Sequence, residues 1–106
     1  MTGRNPRRGE IWLAEMDKVR PAVVMHRDFA GRRLNSVLVV PLISTLREVP
    51  TAVRLGPADG LDRDCIAPLD NLTNLPRERF VRRIGALDAS RMQELCRALA
   101  VAVSCG

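Results

Sequence analysis

The segment Ser-Val-Leu-Val-Val-Pro-Leu-Ile at positions 36–43 combines strand length with β-branched, apolar residues. Such a run, ending in the polar residues Ser44 and Thr45, predicts a buried β-strand. On either side of this segment, five similar stretches are predicted as strands: residues 10–14, 22–25, 52–55, 64–67 and 80–87. Turn signals lie at Gly56-Pro57, Asp59-Gly60 and Leu75-Pro76. Short strands at this even spacing predict a small β-barrel.

The pattern changes near the end of the chain, where apolar residues recur three and four positions apart. They are Met92, Leu95, Cys96, Leu99 and Val103. Asp88 stands where a helix N-cap belongs. One amphipathic helix is therefore predicted to close the chain and to pack on the barrel, since an isolated helix of this length is marginal in water. The fold class is α+β and mainly β.

Composition predicts one domain that acts on an acidic partner. The chain has 106 residues and a hydrophobic fraction of 46%, which suffices for one core. Residues 1–8 are predicted as a basic flexible arm, and residues 9–106 as the folded domain. Lys and Arg number 17 against 12 acidic residues, and Lys18 is the one lysine among them. Arginine suits a phosphate backbone because its planar guanidinium binds phosphate through two hydrogen bonds.

Several classes of site are disfavoured by the residues present. The three cysteines have no CxxC spacing, so neither a disulfide framework nor a zinc site is indicated, and no metal or other cofactor is expected. With one histidine, His26, a mechanism built on two histidines is excluded. No G-x-S-x-G elbow or P-loop occurs. No signal peptide or membrane span is recognised, so a cytoplasmic location is expected.

Arginine and hydroxyl groups remain as the candidate chemistry, at two places near strand ends. Arg20 precedes Pro21, which restricts the backbone and thus where the guanidinium points. The second place is Ser44-Thr45-Leu46-Arg47, where hydroxyls can bind a phosphate oxygen. Both patterns are also ordinary in loops and turns.

Four motifs in order along the chain resemble the MazF/PemK-type toxins. They are Arg-Arg-Gly-Glu-Ile-Trp (7–12), Arg-Pro-Ala-Val-Val (20–24), Val-Leu-Val-Val-Pro-Leu (37–42) and Arg-Ile-Gly-Ala-Leu (83–87). The resemblance implies a CcdB/MazF-like fold, an SH3-like barrel with helices that forms a homodimer. It also implies a type II toxin that cuts single-stranded RNA without a metal and leaves a 2′,3′-cyclic phosphate and a 5′-hydroxyl. The implied partners are RNA and an antitoxin with an acidic, disordered tail.

The resemblance assigns roles to particular positions. Arg20 falls on the family's catalytic arginine, while Ile43 stands where relatives usually have a catalytic threonine, so Ser44 or Thr45 is expected to supply the hydroxyl. Asp70 and Asn71 are assigned to substrate binding, since carboxylate and amide groups can read base edges.

The sequence leaves undecided the roles of two further residues and the choice against two rival functions. Arg47 and His26 are candidate substrate contacts, and His26 is also a candidate base for the 2′-hydroxyl. The connection from Glu15 to Arg20 is shorter than in many relatives, which predicts an open groove able to admit a loop of tRNA or rRNA. The main rival is a non-catalytic CcdB-like module acting on a protein such as gyrase. A nucleic-acid-binding regulator without product formation is the other.

Overall fold

Seven strands and one helix make up the described part of the chain. A computed structural model describes residues 5–27 and 35–104; residues 1–4 of the predicted arm and Cys105 lie outside them. The strands are β1 (Glu10–Glu15), β2 (Val19–Val24), β3 (Ser36–Pro41), β4 (Ala52–Leu55), β5 (Cys65–Pro68), β6 (Thr73–Pro76) and β7 (Phe80–Ala86). Helix α1 spans Ala89–Ala102, and single 3-10 turns cover Pro57–Asp59, Leu69–Asn71 and Arg77–Arg79. The predicted class, mainly β with a C-terminal helix, is confirmed.

The strands form two antiparallel sheets that are joined at Ile43. The larger sheet has the order β6-β3-β2-β1-β7, and β4 pairs with β5 in the smaller one. Beyond β3, the N–H of Leu42 still donates to the carbonyl of Pro21 on β2, at 2.9 Å. Ile43 then forms an isolated antiparallel bridge to Ile66 on β5. The end of β3 thus passes from one sheet to the other within two residues.

Alternation along the strands divides the interior into two cores. One face of the large sheet buries the first core, which contains Trp12, Ala14, Ala22, Val24, Val37, Val39, Leu75 and Phe80. Trp12 and Phe80 meet edge to face there, with ring centroids 5.7 Å apart. The opposite face contributes Ile11, Val23 and Val40 to the second core, which the small sheet and α1 complete. Period-two burial on both faces is what a fully covered sheet requires.

Helix α1 closes the second core and is fixed at its N-terminus. The carboxylate of Asp88 accepts a hydrogen bond from the backbone N–H of Arg91 at 2.8 Å, which confirms the predicted N-cap. Leu95 and Ala98 are buried, and Met92 and Leu99 pack beside them. The guanidinium of Arg91 also binds both oxygens of Asp59, at 3.0 and 3.3 Å. The helix is therefore tied to the Pro57–Asp59 turn as well as to the core.

Three sequence-based expectations are wrong in detail. Leu75-Pro76, predicted as a turn, belongs to β6, because Leu75 is buried in the first core and Pro76 ends a strand at the sheet edge, where proline is tolerated. Strand β2 begins at Val19, so Arg20 lies inside the strand instead of before it. Val103, predicted on the apolar helix face, is the C-cap residue and is 53% exposed.

Two further predictions have a more limited outcome. Residues 5–8 have no helix or strand, but Arg8 donates to the carbonyl of Met25 and to the Cys96 sulfur, so the arm's boundary at residue 8 stays a prediction. Within residues 5–27 and 35–104, no helical segment has the length and hydrophobicity that spanning a lipid bilayer requires.

Leu95→Ala should destabilise the protein, because Leu95 is fully buried between α1 and the second core. We expect the free energy of unfolding to fall by about 2–5 kcal/mol, the usual loss for a buried leucine. Urea unfolding at fixed protein concentration measures it. Gln93→Ala, an exposed position on the same helix, should change stability by less than about 0.5 kcal/mol. Equal effects of the two substitutions would contradict the packing described for α1.

Cys65 should make stability fall at alkaline pH. Burial, and then the negative charges of Asp59 and Asp64, raise the pKa of its thiol from 9.0 to about 11. Between those values the thiol ionises in the unfolded chain but stays protonated in the folded one. The folded state therefore loses on the order of 2 kcal/mol of relative stability as pH rises.

Urea unfolding of reduced protein near pH 8 and near pH 11 measures this loss. It should be smaller in Cys65→Ala and unchanged in Cys96→Ala, whose thiol is partly exposed. An equally steep decline in Cys65→Ala would show that other groups cause it.

Candidate active site

Arg20 lies on the face of β2 that carries the first core. It alternates with Ala22 and Val24, and it pairs with Ala14 on β1, all of which are buried in that core. Its side chain is only 18% exposed. A guanidinium at the rim of an apolar core is less screened by water, so it interacts more strongly with an anion than a fully solvated arginine does.

Among the residues that the structure describes, the guanidinium of Arg20 has one ion-pair partner, Asp17, in the turn between β1 and β2. Nη2 of Arg20 lies 2.8 Å from Oδ2 of Asp17. Nε of Arg20 is buried and has no acceptor, and Nη1 has no hydrogen-bond partner among the described residues. Two of the three donor nitrogens thus remain unused.

Asp17 itself is 70% exposed and ionised. Desolvation is the largest single influence on the pKa of its carboxyl and raises it, but the charge of Arg20 and the hydrogen bonds from the backbone of Asp17 and Lys18 and from Arg20 together outweigh it. The pKa of Asp17 therefore lies below its ordinary value. Sequence reasoning missed this residue, because its one local signal is an acidic side chain three positions before Arg20.

The end of β3 brings the candidate hydroxyls to the same end of the sheet as Arg20. Because Ala22 pairs with Pro41, continuing the register places Ile43 opposite Arg20. Ile43 turns away there to pair with Ile66. Ser44 and Thr45 come next in an exposed segment, and neither hydroxyl has a hydrogen-bond partner among the described residues.

Asp70 and Asn71 lie on the other side of β3 at this end. They belong to the Leu69–Asn71 turn, which comes just before β6. Since Thr73 pairs with Val39 and the strands are antiparallel, the residues before Thr73 lie toward the end of β3. The Thr51 hydroxyl donates to Oδ2 of Asp70 at 2.5 Å. Arg20, the hydroxyls and this turn therefore surround the end of β3.

Arg47 lines an open pocket farther along the exposed segment. The pocket is about 480 Å³ in volume and is lined by Leu46, Arg47, Glu48, Val49, Pro50, Ala52, Arg54 and Ile66. Ile66 also pairs with Ile43, so the pocket adjoins the end of β3. Sequence reasoning missed it because its wall combines a loop with the outer side of the small sheet.

His26 lies at the opposite end of β2. Arg20 and Val24 are four positions apart in β2, which in an extended strand corresponds to about 13 Å, and His26 lies two positions beyond Val24. Its Nδ1 accepts a hydrogen bond from the backbone N–H of Leu38 at 3.2 Å. The strand order and register thus place Arg20, Ser44, Thr45, Asp70 and Asn71 at one end of the large sheet and His26 at the other.

The arrangement is suited to binding an anion, and the site is open to solvent on one side. It offers a fixed guanidinium, two exposed hydroxyls, and carboxylate and amide groups nearby. No group of three or more His, Cys, Asp or Glu side chains that could hold a metal ion occurs among residues 5–27 and 35–104.

Comparison with known proteins agrees with the motifs and the fold. The model of the PemK-like, MazF-like toxins of type II toxin-antitoxin systems matches residues 7–103. The probable endoribonuclease MazF5 of Mycobacterium tuberculosis is 40% identical over 103 residues, which is 94% of each chain. The probable endoribonuclease MazF2 of that species is 36% identical over 101 residues, covering 93% of this chain and 99% of MazF2.

Solved structures show the same architecture. The Mycobacterium tuberculosis toxin MazF-mt6 superposes with a TM-score of 0.86 at 30% identity, covering 92% of this chain and 98% of that one. A mycobacterial endoribonuclease in complex with its cognate antitoxin gives 0.84 at 25% identity, covering 96% and 98%. The resemblance seen in the sequence motifs is confirmed, and this chain belongs to the family of PemK-like, MazF-like toxins of type II toxin-antitoxin systems.

Proposed function

We propose that this toxin is an endoribonuclease that cuts single-stranded RNA without a metal, by attack of a 2′-hydroxyl on the adjacent phosphorus. The observation that carries the proposal is the largely buried guanidinium of Arg20, with an unused Nη1, at the end of β3. The relatives that match over nearly the whole chain are named endoribonucleases. The substrate is mRNA or an exposed loop of tRNA or rRNA.

The chemistry requires charge stabilisation on phosphorus. The 2′-oxygen forms a bond to phosphorus and gives up its proton, while the bond to the 5′-oxygen breaks and that oxygen takes up a proton. The products are a 2′,3′-cyclic phosphate and a 5′-hydroxyl. Arginine is a poor proton acceptor because its guanidinium keeps its proton in folded proteins, so Arg20 acts by binding the negative charge that develops in the transition state.

The hydroxyls complete the phosphate contact. Ser44 or Thr45 donates to a non-bridging oxygen, in the role that Ile43 cannot fill. Asp70 and Asn71 bind base edges, and Arg47 binds the RNA backbone beside the pocket. His26 has no direct role in proton transfer in this mechanism, because it lies at the far end of β2.

The partners are inferred from charge and family. The net charge of +5 favours binding of the acidic tail of a cognate antitoxin, which would compete with RNA for the same surface. A related mycobacterial endoribonuclease is known in complex with its antitoxin. The toxin acts in the cytoplasm as a homodimer. A non-catalytic module acting on gyrase is not favoured, because the relatives are endoribonucleases by name.

Cleavage should depend on Arg20 and should persist in excess EDTA. The purified protein is incubated with total cellular RNA, and new 5′-hydroxyl ends are mapped by sequencing. We expect discrete cuts, which Arg20→Ala should reduce by about 100-fold or more, the usual loss for a transition-state donor. Arg97→Ala removes the same charge from an exposed helix position and should retain the cuts. Absence of cuts with the unaltered protein would overturn the nuclease proposal.

The two hydroxyls should share one role. Replacing both Ser44 and Thr45 by alanine should lower kcat by about 10- to 100-fold, because a hydrogen bond to the phosphate is lost. The single variants, assayed on one oligonucleotide that contains a mapped cut site, show which hydroxyl carries the effect. Full activity in the double variant would place the phosphate contact elsewhere.

A further inference from the structure

The turn between β1 and β2 fixes a carboxylate beside Arg20. Glu15 and Val19 are the last paired residues, and the backbone N–H of Met16 donates to the carbonyl of Lys18 at 3.0 Å. Only three residues therefore make the turn, and Asp17 stands at its middle. So short a turn has few alternative conformations, which keeps the carboxylate within reach of Nη2 of Arg20.

We propose that Asp17 is a positioning residue, which holds Nη2 of Arg20 and thereby directs Nη1 toward the scissile phosphate. The inference rests on the proposed nuclease activity, and it adds a residue to which the motifs assign no role.

The planar guanidinium makes such an arrangement effective. Nε is enclosed by protein on the side of the first core, and Nη2 is held by Asp17 at 2.8 Å. With both of these nitrogens placed, the plane of the group is set, and with it the direction of Nη1. An arginine side chain otherwise has several rotatable bonds, and holding it before substrate arrives removes an entropic cost from the reaction.

Two other roles for Asp17 fit the contacts less well. As a general base it would be weak, because the charge of Arg20 holds the pKa of its carboxyl below the ordinary value. If Asp17 competed with the phosphate for Arg20, it would have to occupy the nitrogens that bind phosphate. It binds only Nη2, and Nη1 has no partner among the described residues. Arg20 is also the less exposed member of the pair, so its orientation depends more on the fold than that of a solvated surface arginine.

Asp17→Asn should lower kcat by about 10-fold or more, with KM unchanged or reduced because a negative charge near the RNA is removed. Glu15→Gln is the matched control. It removes one negative charge from the same hairpin, and the side chain of Glu15 has no hydrogen bond or ion pair among the described residues. Melting curves correct kcat for the folded fraction. Unchanged kcat in Asp17→Asn, or an equal loss in Glu15→Gln, would overturn the proposal.

A double-mutant cycle shows whether Asp17 acts through Arg20. Arg20→Lys keeps the positive charge but has no guanidinium fork, so Asp17→Asn should have little further effect on kcat in that background. An equally large effect there would assign Asp17 a role independent of Arg20, such as proton transfer, and would contradict positioning.

A readout without catalysis separates this inference from the proposed activity. The Nε–H signal of Arg20 in a ¹H–¹⁵N NMR spectrum is identified by its loss in Arg20→Lys. We expect slow exchange of this proton with solvent in the unaltered protein and in Glu15→Gln. In Asp17→Asn we expect faster exchange, because a guanidinium no longer held at Nη2 can swing out from the rim of the first core and expose Nε. Unchanged exchange in Asp17→Asn would refute the holding role, whether or not the protein cleaves RNA.

Discussion

The passage of the chain from one sheet to the other at Ile43 is the constraint on which the rest of the site depends. Leu42 still bonds to β2, and Ile43 bonds to Ile66 on β5. Backbone N–H and C=O groups inside a protein must form hydrogen bonds. Because Leu42 and Ile43 bond to different sheets, their backbone positions are fixed. Ser44 and Thr45 come next in the chain and emerge at the surface at a fixed place. Backbone hydrogen bonds thus place the two hydroxyls next to the start of β2. This placement does not depend on the side chain at position 43.

The same crossing explains why an arginine can be held half inside the fold. Beside the end of β3 is the edge of the first core. Arg20 lies at this edge, on the same face of β2 as the buried residues Ala22 and Val24. Burying a charge is costly unless a counter-charge accompanies it. Asp17 supplies that counter-charge from a turn of three residues. A longer turn would still connect β1 to β2, but it would not hold a carboxylate at this position with the same precision.

Local patterns predicted most elements, and contacts distant in sequence explain the failures. Neighbouring residues in the sequence suffice to predict strands β1, β3 and β7 and the N-cap at Asp88. Strand β6 is short and ends in proline, so it is recognisable only once Leu75 is seen to be buried against β3. Likewise His26 is close to Arg20 in sequence but lies beyond the opposite end of β2, since an extended strand separates residues faster than a helix does. The pair of Asp17 and Arg20 depends on where the hairpin turns.

Different arginines serve RNA binding and the chemical step: exposed arginines attract the RNA, and Arg20 acts on the phosphate. Arg20 is largely shielded and neutralised by Asp17, so it contributes little to attraction at long range. Exposed arginines outside helix α1 without an ion pair in the described part of the chain carry the free positive charge: Arg47, Arg63, Arg79 and Arg82. Attraction by such exposed charges is screened by salt, whereas a partly buried contact is screened much less. Salt should therefore weaken RNA binding while leaving the rate of the bound complex nearly constant, because the group that acts on phosphorus is the one the fold protects.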